Sequence, residues 1–555
     1  MKKLFIIIAT FSQIVTAEIM LPSIFSEGAI FQCDKKLPIW GWATPGQELV
    51  VSFAGQTHRT LVQSNGTWKL KLDPIKGSYE KHALSIKSAT SEIKFSNILV
   101  GEVWLCSGQS NMMYTLDMLS SRTKDQGYES VLKFMRHEKN TAKDDFLRQI
   151  KVPNVASVIE KKTDFEGQWL QSSPQNNGGF SGTAYFFGKE LRTHIDLPVG
   201  LINVSWGGKR IDSFIAPSEF DPNIYEKNVE QAKKLLEIYD EDQEIERFND
   251  EMIQYKKTIK SNRAKGLPRP RRPQMNVSPD KNSNAPGSIY NGMINPVVTY
   301  AIRGATWYQG ESHNQNKPEG HSKLLEKLIR GWRNKWQQGN FPFYFCQLAN
   351  LGVAKLKPLK EKNTWVVISN QLRLGLKIPN TGMAVLHDVG QVKDIHPVNK
   401  YDVGKRLSKW ALYDTYKFKD IVPSGPLFKS AEKMGSQVIV NFGYSGSGLM
   451  VGNKHLLEET KAVEHKLSGF EICGENGEWK YAEAKIISTS QISINHKDID
   501  NPTGIRYAWR QNPLKANLYN IEGLPAALFS TRDFVSEITE NQEKRKAEDP
   551  YETDF

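Results

Sequence analysis

The chain has 555 residues, 39% of them hydrophobic and 24% charged, and carries a formal net charge of +12. Its length exceeds one simple core and allows roughly two to four domains, and its composition is that of a folded rather than a disordered protein. The densest basic run, "NRAKGLPRPRRP" at 262–273, is broken by prolines and glycine like an exposed loop, and no nucleic-acid module accompanies it.

The first residues read as an address. "MKK" is a positive start, "LFIIIATF" an apolar run too short to span a bilayer, and Thr16 and Ala17 are small residues suited to a cleavage site. Residues 1–17 are therefore expected to be a signal peptide. No cysteine follows the expected cut, so no membrane anchor is expected, and the mature protein belongs in the periplasm or outside the cell. Residues 18–97 hold short alternating runs, "LPIWGWA", "ELVVSFAG" and "TWKLKLD", separated by turn pairs such as Pro45-Gly46 and Asn65-Gly66. That pattern predicts a small β-sandwich. The four cysteines, Cys33, Cys106, Cys346 and Cys473, are too far apart for a disulfide scaffold or a zinc knuckle and are expected to be buried free thiols.

From about residue 98 the texture changes. "NILVGEVWLCS", "VGLINVSWGG", "IRGATWYQGES", "FYFCQLAN" and "MAVLHDVG" are strand-like, whereas 182–194 and 321–338 carry apolar residues at helical spacing. Such alternation predicts a parallel sheet covered by helices, with ligands at the carboxyl ends of the strands. A charged helical insert is expected over 220–286. Alternating runs return over 425–510 as a second β module. Residues 511–535 are expected to return to the main domain, which spans 98–424, and 536–555 form a charged tail.

Chemistry-bearing residues cluster where strands end. Ser110, in "CSGQSNMM", follows an apolar run and a glycine, although Met112 stands where the lipase-type G-x-S-x-G turn needs its last glycine. His396 precedes Pro397, which favours extended backbone, and Asp394 lies two residues earlier, on the same face of an extended segment. Asp388 is the rival carboxylate. Gly207-Gly208 allow a backbone N–H to approach a ligand closely, and Gln309 could donate to an oxyanion. Trp206, Trp307, Tyr308, Glu311 and Asn314 flank these stretches and are candidates for substrate contact.

In this order GQSNM, SWGG, WYQGES and DIHP resemble the blocks of SGNH-type carbohydrate esterases, and of the sialate O-acetylesterase family most closely. "SIYNGMINPV" and "DIHPVNKYDVGKRL" are similar to that family as well, and the resemblance covers nearly the whole mature chain. It implies an α/β fold: an SGNH (flavodoxin-like) three-layer hydrolase domain, with the N-terminal β-sandwich and the second β module flanking it. It also implies a serine hydrolase with Ser110 as nucleophile, His396 as base and Asp394 as the acid that orients it. The N–H groups of Ser110 and of Gly207 or Gly208, with the Gln309 side chain, would form the oxyanion hole. No metal or organic cofactor is implied, and the partner is an acetylated carbohydrate, a sialic acid by the family's name. Two positions depart from the pattern: His313 replaces the usual asparagine, with Asn314 one place later, and Lys393 stands where many such enzymes carry aspartate. Three other readings remain: a deacetylase of xylan or another glycan, a glycosidase pairing Glu311 with Asp394 or Asp388, and a non-catalytic glycan-binding protein.

Overall fold

Apolar runs that end in glycine-containing turns become strands, and one of them organises the molecule. The computed structural model describes residues 18–123, 126–312, 317–354, 357–359 and 363–532; the expected signal peptide at 1–17 and tail at 536–555 lie outside the described residues. Strand β1 runs Glu92–Gly108. Its first half alternates in burial and pairs antiparallel with Ser78–Lys87, while every residue of 98–108 is buried. The change in burial begins at Ile98, inside one continuous strand that runs through the residues expected to separate two domains. Upstream, Leu37–Trp42 pairs with Thr67–Leu72, and Glu48–Phe53 with Gln56–Leu61.

Six further strands extend the sheet: β2 (Asp144–Lys151), β3 (Leu170–Ser172), β4 (Val199–Ser205), β5 (Gly304–Tyr308), β6 (Phe343–Cys346) and β7 (Thr381–Ala384). Their order is β7-β6-β5-β1-β4-β2-β3. All neighbours are parallel except β3, which runs antiparallel to β2. A parallel sheet buried on both faces needs near-continuous apolar strands, and β4, β5 and β6 are buried at every residue.

The helices used here are α1 (Ser110–Met113), α2 (Gly182–Arg192), α3 (Pro222–Glu237), α4 (Glu241–Ala264), α5 (His321–Trp336) and α6 (Lys400–Trp410). Period two along the strands sends side chains to opposite faces. On one face Trp104 meets Phe187 of α2 with ring centroids 5.1 Å apart, and Tyr344 meets Trp410 of α6 at 6.4 Å. On the other, Trp307 meets Trp332 of α5 at 5.9 Å. Helices α3 and α4 occupy the expected insert, each capped by an aspartate, Asp221 and Asp240, whose side chain accepts first-turn N–H groups.

Beyond residue 426 the chain builds antiparallel sheets around a second apolar core that includes Val440, Phe442, Ile472, Ile492, Tyr507 and Phe529. The segment expected to return to the main domain pairs here instead: Leu518–Asn520 joins Leu449–Asn453, and Phe529–Ser530 joins Gly504–Tyr507. Its apolar residues find free strand edges in this second core, whereas Ala527 packs in the first. All four cysteines are buried free thiols. Among the described residues no helix is long and apolar enough to cross a membrane.

Candidate active site

Strands β4, β1 and β5 are neighbours, and their carboxyl ends carry three of the loops singled out in the sequence. At the end of β1, Gly108 has φ +139°, and a Cβ there would lie 2.2 Å from the Tyr308 carbonyl oxygen. Only glycine lets β5 pass so close. The Gln109 N–H donates to that same carbonyl at 2.9 Å, and the chain then turns into α1, whose first residue is Ser110. The Gln109 carbonyl accepts from both Met112 and Met113 N–H, so the Ser110 N–H, at the first helical position, has no intrahelical acceptor.

The partner loop lies 286 residues away. His396 Nε2 is 2.9 Å from Ser110 Oγ. His396 Nδ1 is 3.0 Å from Asp394 Oδ1, which also accepts the His396 backbone N–H at 2.8 Å. That contact makes Nδ1 the protonated nitrogen and leaves Nε2 free to accept from Ser110. Arg122 ion-pairs with the other Asp394 oxygen and donates to the His396 carbonyl at 2.7 Å. The Tyr114 ring stacks on the imidazole, centroids 4.4 Å apart at 19°. Burial, then the charge of Lys400, hold the His396 pKa below its ordinary value; Arg122 adds to this, and Asp394 opposes it. The rival carboxylate is placed elsewhere, since Asp388 is buried and bound to Arg406 at 2.5 and 2.9 Å.

Gly207 lies against the serine: a Cβ there would stand 3.4 Å from Ser110 Cβ. Its N–H points at Met113 Sδ, 3.3 Å away, a weak acceptor that an oxyanion would outcompete. Gly208 is exposed, with open space around its Cβ position. Trp206 is half-buried, with Lys209 Nζ 5.1 Å from its ring centroid.

Gln309, Trp307 and Tyr308 are placed apart from the roles expected of them. Gln309 is fully buried, and its Nε2 donates to the Ser312 carbonyl at 2.6 Å and faces Lys209 O and Gln109 Oε1 at 3.4 and 3.5 Å. Its donors are thus already committed below the site. Trp307 and Tyr308 have no exposed surface, because the faces of the sheet are covered: Trp307 packs on Phe214 and Trp332, and Lys400 Nζ lies 5.8 Å from the Tyr308 ring, so neither offers a face to a sugar. Glu311 accepts from Gln109 Nε2 at 2.7 Å and from Asn111 Nδ2, and burial pushes its carboxyl pKa up while the Asn111 bond opposes that. Asn314 lies outside the described residues. The sequence reading missed Arg122, Tyr114, Asn111 and Lys400. Tyr114 and Asn111 sit within the quoted serine stretch and Lys400 within "DIHPVNKYDVGKRL", but no local spacing links Arg122 to an aspartate 272 residues on.

Residues 280–412 match a family model described as carbohydrate esterase, sialic acid-specific acetylesterase. The sialate O-acetylesterase of Mus musculus is 25% identical over 511 residues, covering 86% of each chain. That of Homo sapiens is 24% identical over 544 residues, covering 90% of this chain and 89% of its own. A carbohydrate acetylesterase from Xanthomonas citri superposes with a TM-score of 0.73 at 28% identity, covering 93% of this chain and all of that one. The chain is similar to sialate O-acetylesterases over nearly its whole length. It is a carboxylic ester hydrolase. The matched span of this esterase contains Glu311, Asp394, His396 and Lys400, whereas Ser110 and Gly207 precede it.

Proposed function

We propose that this esterase removes O-acetyl groups from sugars through a Ser110–His396–Asp394 relay. The observation that carries the reading is the chain of contacts at 2.9 and 3.0 Å from hydroxyl to imidazole to carboxylate. Ser110 Oγ attacks the acetyl carbonyl carbon as its proton passes to His396 Nε2. The oxyanion lies against the N–H groups of Ser110 and Gly207, each such donor typically worth about 3 kcal/mol of barrier. Collapse breaks the ester C–O bond, and His396 protonates the departing sugar hydroxyl. Water, losing its proton to His396, then attacks acetyl-Ser110, releasing acetate and returning the proton to Oγ. Asp394 orients the imidazole and stabilises its charged form. Glu311, held by Gln109 and Asn111, is committed within the site, which removes the glycosidase reading's reason for an available acid.

The parallel sheet with helices on both faces supports an SGNH-type, three-layer hydrolase domain over 98–424, flanked by the β-sandwich at 18–97 and the β module that starts near 425. The N-terminal apolar run supports export. The substrate is an acetylated sugar, and the names of the mammalian relatives favour an O-acetylated sialic acid over acetylated xylan. The test is acetate release from acetylated sialosides, acetylated xylo-oligosaccharides and 4-nitrophenyl acetate. Wild type should turn over at least one of these and be labelled at Ser110 by a fluorophosphonate probe. Ser110→Ala should lose nearly all turnover and all labelling while keeping its fold. Near-normal acetate release by that variant would end the serine mechanism, and xylo-oligosaccharides outpacing sialosides would end the sialate assignment.

A further inference from the structure

We propose that Lys400 is a positioning residue of this site: through a buried network with Asn111 and Glu311 it fixes the Ser110 turn against the loop that carries His396. The inference rests on the roles assigned above to Ser110 and His396. Lys400 is fully buried at the first position of α6, and its Nζ donates to Asn111 Oδ1 at 2.6 Å and to the Pro397 carbonyl at 2.7 Å. Asn111 Nδ2 donates to the Ile395 carbonyl at 3.0 Å and to Glu311. Gln109 Nε2 donates to the second Glu311 oxygen at 2.7 Å.

The symmetry of these bonds carries the argument. The carbonyls on either side of His396, those of residues 395 and 397, are held by Asn111 and Lys400. The residues on either side of Ser110, Gln109 and Asn111, are both held by Glu311. The network therefore bridges two chain segments 286 residues apart at the points that set the distance from Oγ to Nε2. Lys400 itself touches neither reacting group.

The amine is an expensive choice for such a bridge. It makes no ion pair among the described residues and has two neutral oxygens as acceptors. Burial pushes its pKa down to about 7, against the pull of Glu311. A buried amide could make the same two hydrogen bonds at less desolvation cost, so a charge at this place has a consequence to explain. That consequence is electrostatic. His396 is faced by Asp394 on its own loop, Arg122 beyond the serine helix, Tyr114 stacked on its ring, and Lys400 beneath it. A positive Lys400 disfavours the imidazolium and so keeps the general base neutral at lower pH.

The test uses the full chain, with kcat, KM and the pH profile of kcat/KM on 4-nitrophenyl acetate for wild type, Lys400→Met and Lys400→Gln. Loss of the bridge in Lys400→Met is expected to lower kcat about 10- to 100-fold, the scale of a misplaced reacting pair, with KM nearly unchanged. Its acidic limb should move to higher pH, because the removed charge no longer opposes protonation of His396. Lys400→Gln, which restores a donor without the charge, should recover part of kcat and keep the moved limb. Wild-type kcat in a folded Lys400→Met overturns the proposal, as does a lowered kcat with an unmoved limb, which a merely structural lysine would produce. If Lys400→Met fails to fold, Asn111→Ala decides: about a 10-fold or greater loss of kcat supports the bridge, and wild-type turnover overturns it. A silent Lys400 set beside an inactive Ser110→Ala sinks the bridge alone; an active Ser110→Ala sinks the serine reading beneath it.

Discussion

Asp394 does three things with two oxygens: it accepts His396 Nδ1–H, accepts the His396 backbone N–H, and pairs with Arg122. Asp394→Asn would retain the shape, but its amide can offer N–H toward Nδ1 and so favour the wrong imidazole tautomer. Steady-state kinetics should show kcat falling on the order of 10^3- to 10^4-fold, the scale seen when an orienting carboxylate becomes an amide. The sign of the pH dependence follows from His396. Its folded pKa is lowered, by burial first and by Lys400 next, so the neutral, basic form persists to more acidic pH than an ordinary histidine allows. The wild-type kcat/KM profile should rise from acid to a plateau with its midpoint below the ordinary histidine value. A midpoint above that value, or a flat profile between pH 5 and 8, would contradict a desolvated histidine base.

At the scale of elements, the site depends on how closely β1 and β5 approach at their carboxyl ends. Gly108→Ala would place a methyl 2.2 Å from a backbone carbonyl, in a conformation with φ +139° that L side chains rarely adopt. The strands must separate or the turn must move, and either shifts Ser110, two residues further on. Both stability and turnover should fall: the thermal midpoint by several degrees and, with Ser110 in its proposed role, kcat by about 100-fold, the scale of an angstrom-sized misplacement. Calorimetry and 4-nitrophenyl acetate turnover would check the pair; an unchanged kcat would show that the turn tolerates the shift. This glycine and the serine after it were legible because an apolar strand ending in small polar residues is a strong local signal. Gln309 misled for the converse reason. An amide at a strand end is chemically able to donate, and its one-dimensional context does not say that three carbonyl oxygens already surround it.

At the scale of the molecule, the amino end of the parallel part of β1 is held by Glu102, which is 2% exposed. Arg303 donates to it at 2.6 and 2.7 Å, Tyr416 at 3.0 Å and the Cys33 thiol at 3.0 Å. These three partners come from the N-terminal β region, the lead into β5 and the segment after α6, so the carboxylate ties distant parts of the chain together. Arg303→Met strands a buried charge, and unfolding should become easier by about 3–5 kcal/mol. Ser110 lies beyond the far end of the strand, roughly 20 Å away at about 3.3 Å per residue. Activity per folded molecule should therefore stay near wild type, measured on material quantified by fluorophosphonate labelling, and a large loss would mean that this end of the sheet is coupled to the site.

Much of this esterase is determined by sequence alone. Near-continuous apolar runs alternating with helical periodicity require a parallel sheet with both faces covered, because no other arrangement buries such strands. Glycine and serine at strand ends mark where chemistry can sit. The charged insert, with its helical spacing, forms two largely exposed helices. Tertiary structure separated Asp394 from Asp388, because both carboxylates lie in the segment before helix α6 and only the fold binds one to Arg406 and aims the other at His396. It alone recruited Arg122, Tyr114 and Lys400, and it alone buried Trp307 and Tyr308. For Arg122, Tyr114 and Lys400 the reason is distance along the chain: their partners lie hundreds of residues away, and such segments leave no spacing by which to read their meeting.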